Sequence, residues 1–245
     1  MKRKNVYDLI VEMRPGCFPN FEHTQNDACK KILKVLDGVE FETMWDLGCG
    51  TGEILTRLAR HWPERKFVGV DRSSLSLDTA RANQDGVPNA RFIHGGMGKV
   101  SAGKNDVVLC VGNTMIHFGA LRLRTWLQGA GQLPKFIFLD FIDDWDKVIA
   151  NGTTLQVQEF GCRGESVHMS GLNTVLIGNR VVRQLIHIDM AEGNPAVVEM
   201  ATVLQSADTV GCYESVLQDM DYMIVSQVSY LHGYGAMEGA LWMRR

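Results

Sequence analysis

The chain of 245 residues lacks the features that mark several broad classes of protein. No apolar stretch approaches the ~20 residues that a membrane-spanning helix requires, and the first residues carry no apolar segment of the kind found in signal peptides. No internal repeat, low-complexity segment or linker rich in Pro, Gly and Ser divides the chain. We therefore expect a cytoplasmic protein with no membrane partner, folded as one large domain or as one domain with a small lobe.

An excess of one charge and a pattern of paired cysteines are also missing. The formal net charge is −3, and basic residues cluster only at the two ends of the chain, at 2–4 and 244–245. Because phosphate contacts need Lys and Arg, we expect no nucleic-acid partner. The six cysteines are dispersed, with no C-x-x-C pair and no zinc-type spacing of His and Cys. This distribution indicates reduced thiols.

Short apolar runs alternate with helical patterns over the first 150 residues. Strands are predicted at 43–47, 66–70, 90–94, 106–111 and 135–141. Helices are predicted at 5–13, 21–37, 52–61, 73–84 and 119–130. Continuous apolar strands that alternate with helices are typical of a parallel sheet covered on both faces. The pattern therefore predicts an α/β, doubly wound core.

Beyond residue 150 the pattern changes to alternating polar and apolar residues, which is typical of antiparallel strands. Strands are predicted at 153–160, 174–188 and 196–204. Gly178-Asn179 predicts a hairpin turn within the second of them. These strands would form an antiparallel insertion, after which come a helix at 208–219 and strands at 222–231 and 238–244.

The most informative segment is residues 43–53, where an apolar run meets a glycine-rich turn and then a helix. Gly48, Gly50 and Gly52 follow the G-x-G-x-G spacing, which is neither the dinucleotide fingerprint nor a phosphate loop. Glycine lets the backbone bend sharply and lets a ligand approach closely. Asp46 adds negative charge beside the turn, which favours a cationic ligand over a pyrophosphate.

An acid also ends the next predicted strand. Asp71 lies about 20 residues beyond the glycines, where an acid binds ribose hydroxyls in nucleotide-binding α/β units. The alternative is that Asp71 caps the helix that follows. Taken together, residues 46–52 and Asp71 resemble the first two motifs of the class I S-adenosylmethionine-dependent methyltransferases. The resemblance implies a methyltransferase with S-adenosyl-L-methionine as cofactor.

The same resemblance implies the architecture. It is a seven-stranded Rossmann-like sheet, mostly parallel, with an antiparallel C-terminal hairpin and a small antiparallel β insertion. Residues 1–42 would cover the cofactor, 43–150 would bind it, 151–205 would form a lid, and 206–245 would complete the core sheet.

The cofactor contacts implied by the resemblance lie mainly at the strand ends. They are Tyr7, Asp46, Gly48, Cys49, Gly50, Gly52, Asp71, Arg72, Gly96, Met97, Val111 and Gly112. The glycines would let the methionine part lie on the backbone, and Asp46 would face its amino group or brace the turn. Family members often place an acid where Gly96 stands. Adenine recognition would then depend on the backbone of Gly96 and Met97.

Residues 111–118 resemble the G-N-S-x-x-H segment of the glycine and sarcosine N-methyltransferase branch. In that branch the segment lies between the cofactor and the methyl acceptor. The resemblance implies catalytic or substrate-binding roles for Asn113, which would orient an amine or hydroxyl, and for His117. His117 could be a base, a wall of the site or a structural histidine. Arg183, on a predicted strand, could bind a carboxylate acceptor or be a solvated edge charge.

An acid run follows the fifth predicted strand. It consists of Asp140, Asp143, Asp144 and Asp146. Some O-methyltransferases bind magnesium with acids near this place, but helix capping and solvation explain the run, and we expect no metal. We therefore expect methyl transfer to a small-molecule acceptor by in-line displacement, with a homodimer as one allowed assembly. The alternatives are a macromolecule methyltransferase acting on RNA or protein, and a non-methylating protein that binds the cofactor.

Overall fold

The computed structural model describes residues 21–142, 146, 154–163, 166–177, 180–191, 194–232 and 235–245. Several sequence-based expectations fall outside these ranges. They are the helix at 5–13, the cofactor contact of Tyr7, the acids Asp143 and Asp144, and the turn at Gly178-Asn179.

Five α-helices and eleven strands make up the described residues. The helices are α1 (Phe21–Val35), α2 (Glu53–His61), α3 (Ser74–Asn83), α4 (Ala120–Gly129) and α5 (Val210–Asp219). The core strands are β1 (Thr43–Leu47), β2 (Lys66–Asp71), β3 (Ala90–His94), β4 (Val107–Cys110), β5 (Phe136–Ile142), β10 (Tyr222–His232) and β11 (Gly235–Arg244). The remaining strands are β6 (Thr154–Arg163), β7 (Ser166–Ile177), β8 (Arg180–Ala191) and β9 (Asn194–Ser206). Short 3₁₀ helices span Met97–Lys99 and Thr114–His117.

The core sheet has seven strands in the order β10-β11-β5-β4-β1-β2-β3. Strands β1 to β5 pair in parallel, and β11 pairs antiparallel with both β5 and β10. The predicted Rossmann-like sheet, mostly parallel with an antiparallel C-terminal hairpin, is confirmed. Strands β1, β2 and β3 follow one another outward, and the chain then returns to the middle of the sheet to form β4 on the other side of β1. The position between β1 and β4 is the switch point, where α/β sheets bind ligands.

Helices cover both faces of this sheet, as continuous apolar strands require. One buried cluster includes side chains of α1, α2 and α3, and the other includes side chains of α4 and α5. Helix α2 shows how sequence produces this packing. Its residues Ile54, Leu55, Leu58 and Ala59 are all buried, and their spacing places them along one face of a helix.

A second, four-stranded antiparallel sheet has the order β6-β7-β8-β9. Strand β7 begins at Ser166, eight residues before the strand predicted from the sequence. Residues 166–173 are rich in Ser, Asn, Gly and His, so their local pattern is weak, but pairing with β6 supplies the missing hydrogen bonds. The division of the chain into four regions remains a prediction.

The described residues contain no helix that is long and apolar enough to cross a membrane. The carboxyl ends of β1, β2, β4 and β5 meet at one edge of the core sheet. The chain segments that follow these strands form the candidate functional site.

Candidate functional site

The glycine turn after β1 has a backbone that only glycine adopts without strain. Gly48, Gly50 and Gly52 have φ angles of 78°, 55° and 77°, all in the left-handed region. A Cβ atom on Gly48 would lie 2.4 Å from Cγ2 of Thr114. The turn therefore packs directly against the start of the second 3₁₀ helix, and Gly52 provides the N-cap of α2.

Asp71, at the end of β2, braces this turn. Its Oδ2 accepts a hydrogen bond from the backbone N–H of Gly50 at 2.9 Å, and its Oδ1 accepts one from the N–H of Ser73 at 2.8 Å. The side chain that caps α3 is instead Ser73, whose Oγ accepts from the N–H of Ser76 at 3.0 Å. Each carboxylate oxygen has two lone pairs, so Asp71 keeps acceptor capacity for a ligand hydroxyl.

Asp46 is the most deeply buried acid beside the turn. Its side chain is 1 % exposed, and Oδ1 has no hydrogen-bond partner among the described residues. Burial raises the pKa of this carboxyl to about 8, and the negative charges of Asp71 and Asp140 add to the effect. A buried acceptor without a partner costs stability. Asp46 is therefore suited to a ligand that brings a cationic donor.

Asp140 holds the backbone that follows β4. Its Oδ2 accepts from the N–H of Gly112 at 2.9 Å and its Oδ1 from the N–H of Asn113 at 2.8 Å. The hydroxyl of Tyr230 also donates to Asp140. Burial raises the pKa of Asp140 to about 6, while these hydrogen bonds oppose the rise. Asp140 thus positions the turn at 112–113.

Asp46, Asp71 and Asp140 bring three carboxyl groups close together at this edge of the sheet, and the charges of Asp71 and Asp140 oppose the ionisation of Asp46. Each ends or nearly ends one of three strands at the switch point. Asp46 and Asp140 are fully or almost fully buried, and both have a raised pKa. Carboxylates that repel one another in this way are stabilised by a bound cation. The edge therefore fits a ligand with a positively charged centre.

Cys49 lies within the glycine turn and is half-buried. Its sulfur fills the space beside Gly69, where a Cβ would come within 2.7 Å of Sγ. Burial and the charges of Asp46 and Asp71 raise the pKa of this thiol. A thiol whose pKa is raised is a poor nucleophile, so Cys49 packs here without acting as a nucleophile, and its contact with the cofactor remains a prediction.

The residues after β3 follow the next strand of the sheet beyond β2, and their contact with the cofactor remains a prediction. Gly96 precedes the 3₁₀ helix at Met97–Lys99, and Met97 is 7 % exposed. A Cβ on Gly96 would be no closer than 3.8 Å to Nε of Arg72, so a larger side chain fits there. Arg72 is exposed, and its carbonyl lies 3.0 Å from Nε2 of His94.

Asn113 and His117 lie at the two ends of the second 3₁₀ helix. Asn113 adopts the left-handed conformation, with φ 60°, and its side chain is 4 % exposed. Val111 is buried beside it, and its carbonyl accepts from the hydroxyl of Thr114 at 2.8 Å. His117 is half-buried, and its Nε2 lies 3.5 Å from Nε2 of Gln205.

Two site expectations remain, and they concern Arg183 and a metal ion. Arg183 lies on β8, with its Cα opposite Thr174 of β7 and Val203 of β9; its substrate contact remains a prediction. Within the described ranges, no three His, Cys, Asp or Glu side chains are grouped as a metal ion would require.

Sequence reasoning missed three residues that shape this site. The sequence interpretation of Asp140 weighs only magnesium binding against helix capping and solvation, although its position near a strand end is a signal for a site residue. Tyr230 and Gln205 carry no local signal. They are 90 and 88 residues away from their partners Asp140 and His117, and only the folded chain brings them together.

Comparison with known proteins places this geometry in context. Residues 45–134 match the family model described as a methyltransferase domain. The chain is 33 % identical over 73 residues to trans-aconitate 2-methyltransferase of Afipia carboxidovorans. The aligned region covers 30 % of this chain and 27 % of that protein. It is 27 % identical over 133 residues to malonyl-[acyl-carrier protein] O-methyltransferase of Halalkalibacterium halodurans, covering 47 % and 48 %.

The likeness among solved structures extends over nearly the whole chain. An S-adenosylmethionine-dependent methyltransferase from Clostridium acetobutylicum superposes with a TM-score of 0.68 and 13 % identity, covering 98 % of this chain and 96 % of that one. The chain spans about a quarter to a half of the length of the curated relatives it matches. The chain therefore has the α/β Rossmann-like fold of that methyltransferase, and its residues 45–134 match the methyltransferase domain model.

Proposed function

We propose that this protein is a methyltransferase that binds S-adenosyl-L-methionine at the acidic edge of the core sheet. The proposed acceptor is a small molecule with an amine, hydroxyl or carboxylate group. The observation that carries the proposal is Asp46, a buried acid with an unpartnered oxygen beside a left-handed glycine turn. The cofactor carries two positively charged groups, an ammonium and a sulfonium, which would favour the ionised form of the acids at this edge.

Each residue at this edge would bind a different part of the cofactor. Asp46 would accept from the cofactor's ammonium group, and the open glycine backbone would let the methionine part lie close to the turn. Asp71 would accept from the ribose hydroxyls with its second lone pairs while keeping its hydrogen bonds to Gly50 and Ser73. Gly96 and Met97 would contact the adenine with backbone groups.

The chemistry asks mainly for alignment. The cofactor supplies an electrophilic methyl group on a positively charged sulfur, which leaves as a neutral thioether. The protein holds the acceptor atom in line with the methyl carbon and the sulfur, and keeps water out of the reacting region. The fixed carbonyls and carboxylates near β1 and β4 would meet the sulfonium charge before transfer.

The segment after β4 is the proposed acceptor side. Its resemblance to the glycine and sarcosine N-methyltransferase branch supports a role for Asn113 and His117 in holding the acceptor. The contact of Thr114 with Gly48 supports it as well, because this contact brings the segment against the glycine turn. We place Arg183 among the acceptor-binding candidates on the strength of its sequence position alone.

Calorimetry tests the cofactor step directly. S-adenosyl-L-methionine and its demethylated product should both bind to the wild-type protein, and the Asp71→Ala variant should bind them far more weakly. Absence of binding to the wild type would refute the proposal. A screen with radiolabelled methyl groups against amines, phenols, carboxylates and bulk RNA then identifies the acceptor class. Transfer to RNA alone would favour a macromolecule methyltransferase instead.

A further inference from the structure

Two buried side-chain amides bracket the 3₁₀ helix at Thr114–His117. Asn113 precedes this helix, and Gln205, at the end of β9, faces His117 at its other end. Each amide is 4 % exposed. The oxygens Oδ1 of Asn113 and Oε1 of Gln205 have no hydrogen-bond partner among the described residues. The fold therefore presents two buried hydrogen-bond acceptors around one short helix.

Asn113 is held in place by its own backbone. Its N–H donates to Asp140 at 2.8 Å, and its left-handed φ of 60° turns the chain into the helix. The neighbouring Thr114 packs against Gly48. The Asn113 amide thus lies next to the proposed cofactor turn, and its position depends on contacts other than those of its own oxygen.

Gln205 is held in place just as firmly. The hydroxyl of Ser206 donates to Asp208 at 2.6 Å, and Asp208 accepts from the N–H of Ala120 at 2.8 Å. A Cβ on Gly119 would lie 3.0 Å from Oγ of Ser206, so the end of β9 is packed closely against the start of α4. These contacts hold Gln205 beside His117 without using its amide oxygen.

The contact between Gln205 and His117 joins two nitrogens 3.5 Å apart. Because the amide nitrogen can only donate, Nε2 of His117 is the acceptor in this arrangement. The amide oxygen of Gln205 is then left for another donor. A 3₁₀ helix rises about 2 Å per residue, so the chain advances about 8 Å from Asn113 to His117, which Gln205 contacts. A small molecule can span that distance.

A buried polar atom without a partner opposes folding, and such atoms are rare in native proteins. They persist where a ligand completes the hydrogen bond. Both amide oxygens can be satisfied only by a donor, an N–H or an O–H group. A deprotonated carboxylate offers no donor, and the charge of Asp140, which holds the N–H of Asn113, would repel it.

We propose that Asn113 and Gln205 recognise the methyl acceptor, and that this acceptor is an amine or an alcohol and not a carboxylate. The inference rests on the proposed methyltransferase function and narrows it. In the reaction, the lone pair of the acceptor nitrogen or oxygen forms the bond to the methyl carbon. The carbon–sulfur bond breaks with its electron pair going to sulfur. One proton passes from the acceptor atom to water.

The test uses probes that differ only in the acceptor group. The full-length protein with saturating radiolabelled S-adenosyl-L-methionine is given two matched sets: cyclohexylamine, cyclohexanol and cyclohexanecarboxylate, and glucosamine, glucose and glucuronate. Two variants accompany it. Asn113→Gly keeps the left-handed backbone and removes one amide, and Gln205→Met removes the other at similar size. Gln128→Met, on the exposed face of α4, is the matched control.

We expect transfer to an amine or alcohol probe, and none to the carboxylates. Both variants should reduce kcat/KM for that probe at least tenfold while calorimetry shows the cofactor affinity within twofold of wild type. Gln205→Met should also leave the urea unfolding midpoint unchanged or raised, because it removes an unsatisfied oxygen. A structural amide would instead lower that midpoint and leave the choice of acceptor intact.

The failures of the two proposals can be told apart. Cofactor binding accompanied by transfer to carboxylates alone, or to none of the amines and alcohols, would overturn this inference and leave cofactor binding standing. Full activity of both variants would overturn it too. Absence of cofactor binding would refute the proposed function and this inference together.

Discussion

The Asp71 carboxylate accepts a hydrogen bond from the backbone N–H of Gly50 at 2.9 Å. This bond joins the end of β2 to the middle of the glycine turn that follows β1. The same carboxylate also accepts a hydrogen bond from the backbone N–H of Ser73, just before α3. The turn is therefore held in shape by the residue that we expect to bind the ribose.

Replacement of Asp71 should weaken cofactor binding more than it weakens the fold. Hydrogen bonds to a charged group are worth about 1.5–3 kcal/mol, so Asp71→Asn should reduce cofactor affinity at least ~10-fold. Calorimetry measures the change. Asp78→Asn is the control, because Asp78 is exposed on α3 and, among the described residues, its ion pair is with Arg81. Equal affinity in the two variants would contradict a role for Asp71 in the site.

Cofactor binding should release a proton near neutral pH. The pKa of the Asp46 carboxyl is about 8 in the free protein, so at pH 7 the group is mostly protonated. A cationic donor beside it favours the ionised form and lowers this pKa. Calorimetry at pH 7 in buffers of different ionisation enthalpy should detect close to one proton released. The release should vanish in Asp46→Asn, and an unchanged release in that variant would contradict the assignment.

The free protein should lose stability as the pH rises from about 4 to about 8. The folded-state pKa values of Asp46 and Asp140, about 8 and about 6, lie above the unfolded value of 3.8. The folded state therefore holds more protons than the unfolded state in this range, and its stability falls with pH. Urea unfolding across the range measures the slope. Asp46→Asn should make this slope shallower and raise the free energy of unfolding at pH 8, because the amide cannot ionise.

Loss of the Tyr230 hydroxyl should impair methyl transfer through the turn at 112–113. Tyr230→Phe removes a donor to Asp140, which holds the N–H groups of Gly112 and Asn113. The pKa of Asp140 should rise further, because this hydrogen bond lowers it. We expect a fall in kcat of about 10-fold, measured with the acceptor found in the screen, as for a misplaced site residue.

Tyr222→Phe is the matched control for that change. Tyr222 lies on the same strand, and its hydroxyl donates to the carbonyl of Pro134, before β5 begins. Tyr222→Phe should cost about 1 kcal/mol of unfolding free energy, and Tyr230→Phe about 1.5–3 kcal/mol because its hydroxyl donates to a carboxylate, but only Tyr230→Phe should lower kcat. Similar activity in the two variants would show that the Asp140 contact is structural alone.

Gly48→Ala should destabilise the protein through a clash as well as through backbone strain. An added Cβ would lie 2.4 Å from Thr114 at a φ of 78°. Gly86→Ala is the control, since Gly86 has a φ of 71° but no atom within 4 Å of the added Cβ. Strain alone should cost Gly86→Ala about 1 kcal/mol, and the clash should bring the cost for Gly48→Ala to about 3 kcal/mol. Equal losses of unfolding free energy in the two variants, measured by urea unfolding, would show that the Thr114 side chain moves aside without an energetic cost.

Several features of this protein could be predicted from the sequence because they depend on residues that are close together in the chain. Continuous apolar runs predicted the parallel strands, since such strands are buried on both faces. The spacing of Gly48, Gly50 and Gly52 predicted a tight turn, and all three have positive φ angles. The polar stretch at 166–173 is the exception. Its local pattern is weak, and pairing with both β6 and β8 supplies its backbone hydrogen bonds.

The details of the site were decided by the tertiary structure. The raised pKa of Asp46 depends on burial and on the charges of Asp71 and Asp140, which lie on other strands. The hydrogen bond of Tyr230 to Asp140 and the contact of Gln205 with His117 join residues 90 and 88 positions apart. Local sequence determined which segments are strands and where the backbone must turn, because burial pattern and glycine act within a few residues. Folding alone determined which polar atoms meet and which stay unpartnered, because strand order brings distant side chains to one edge of the sheet.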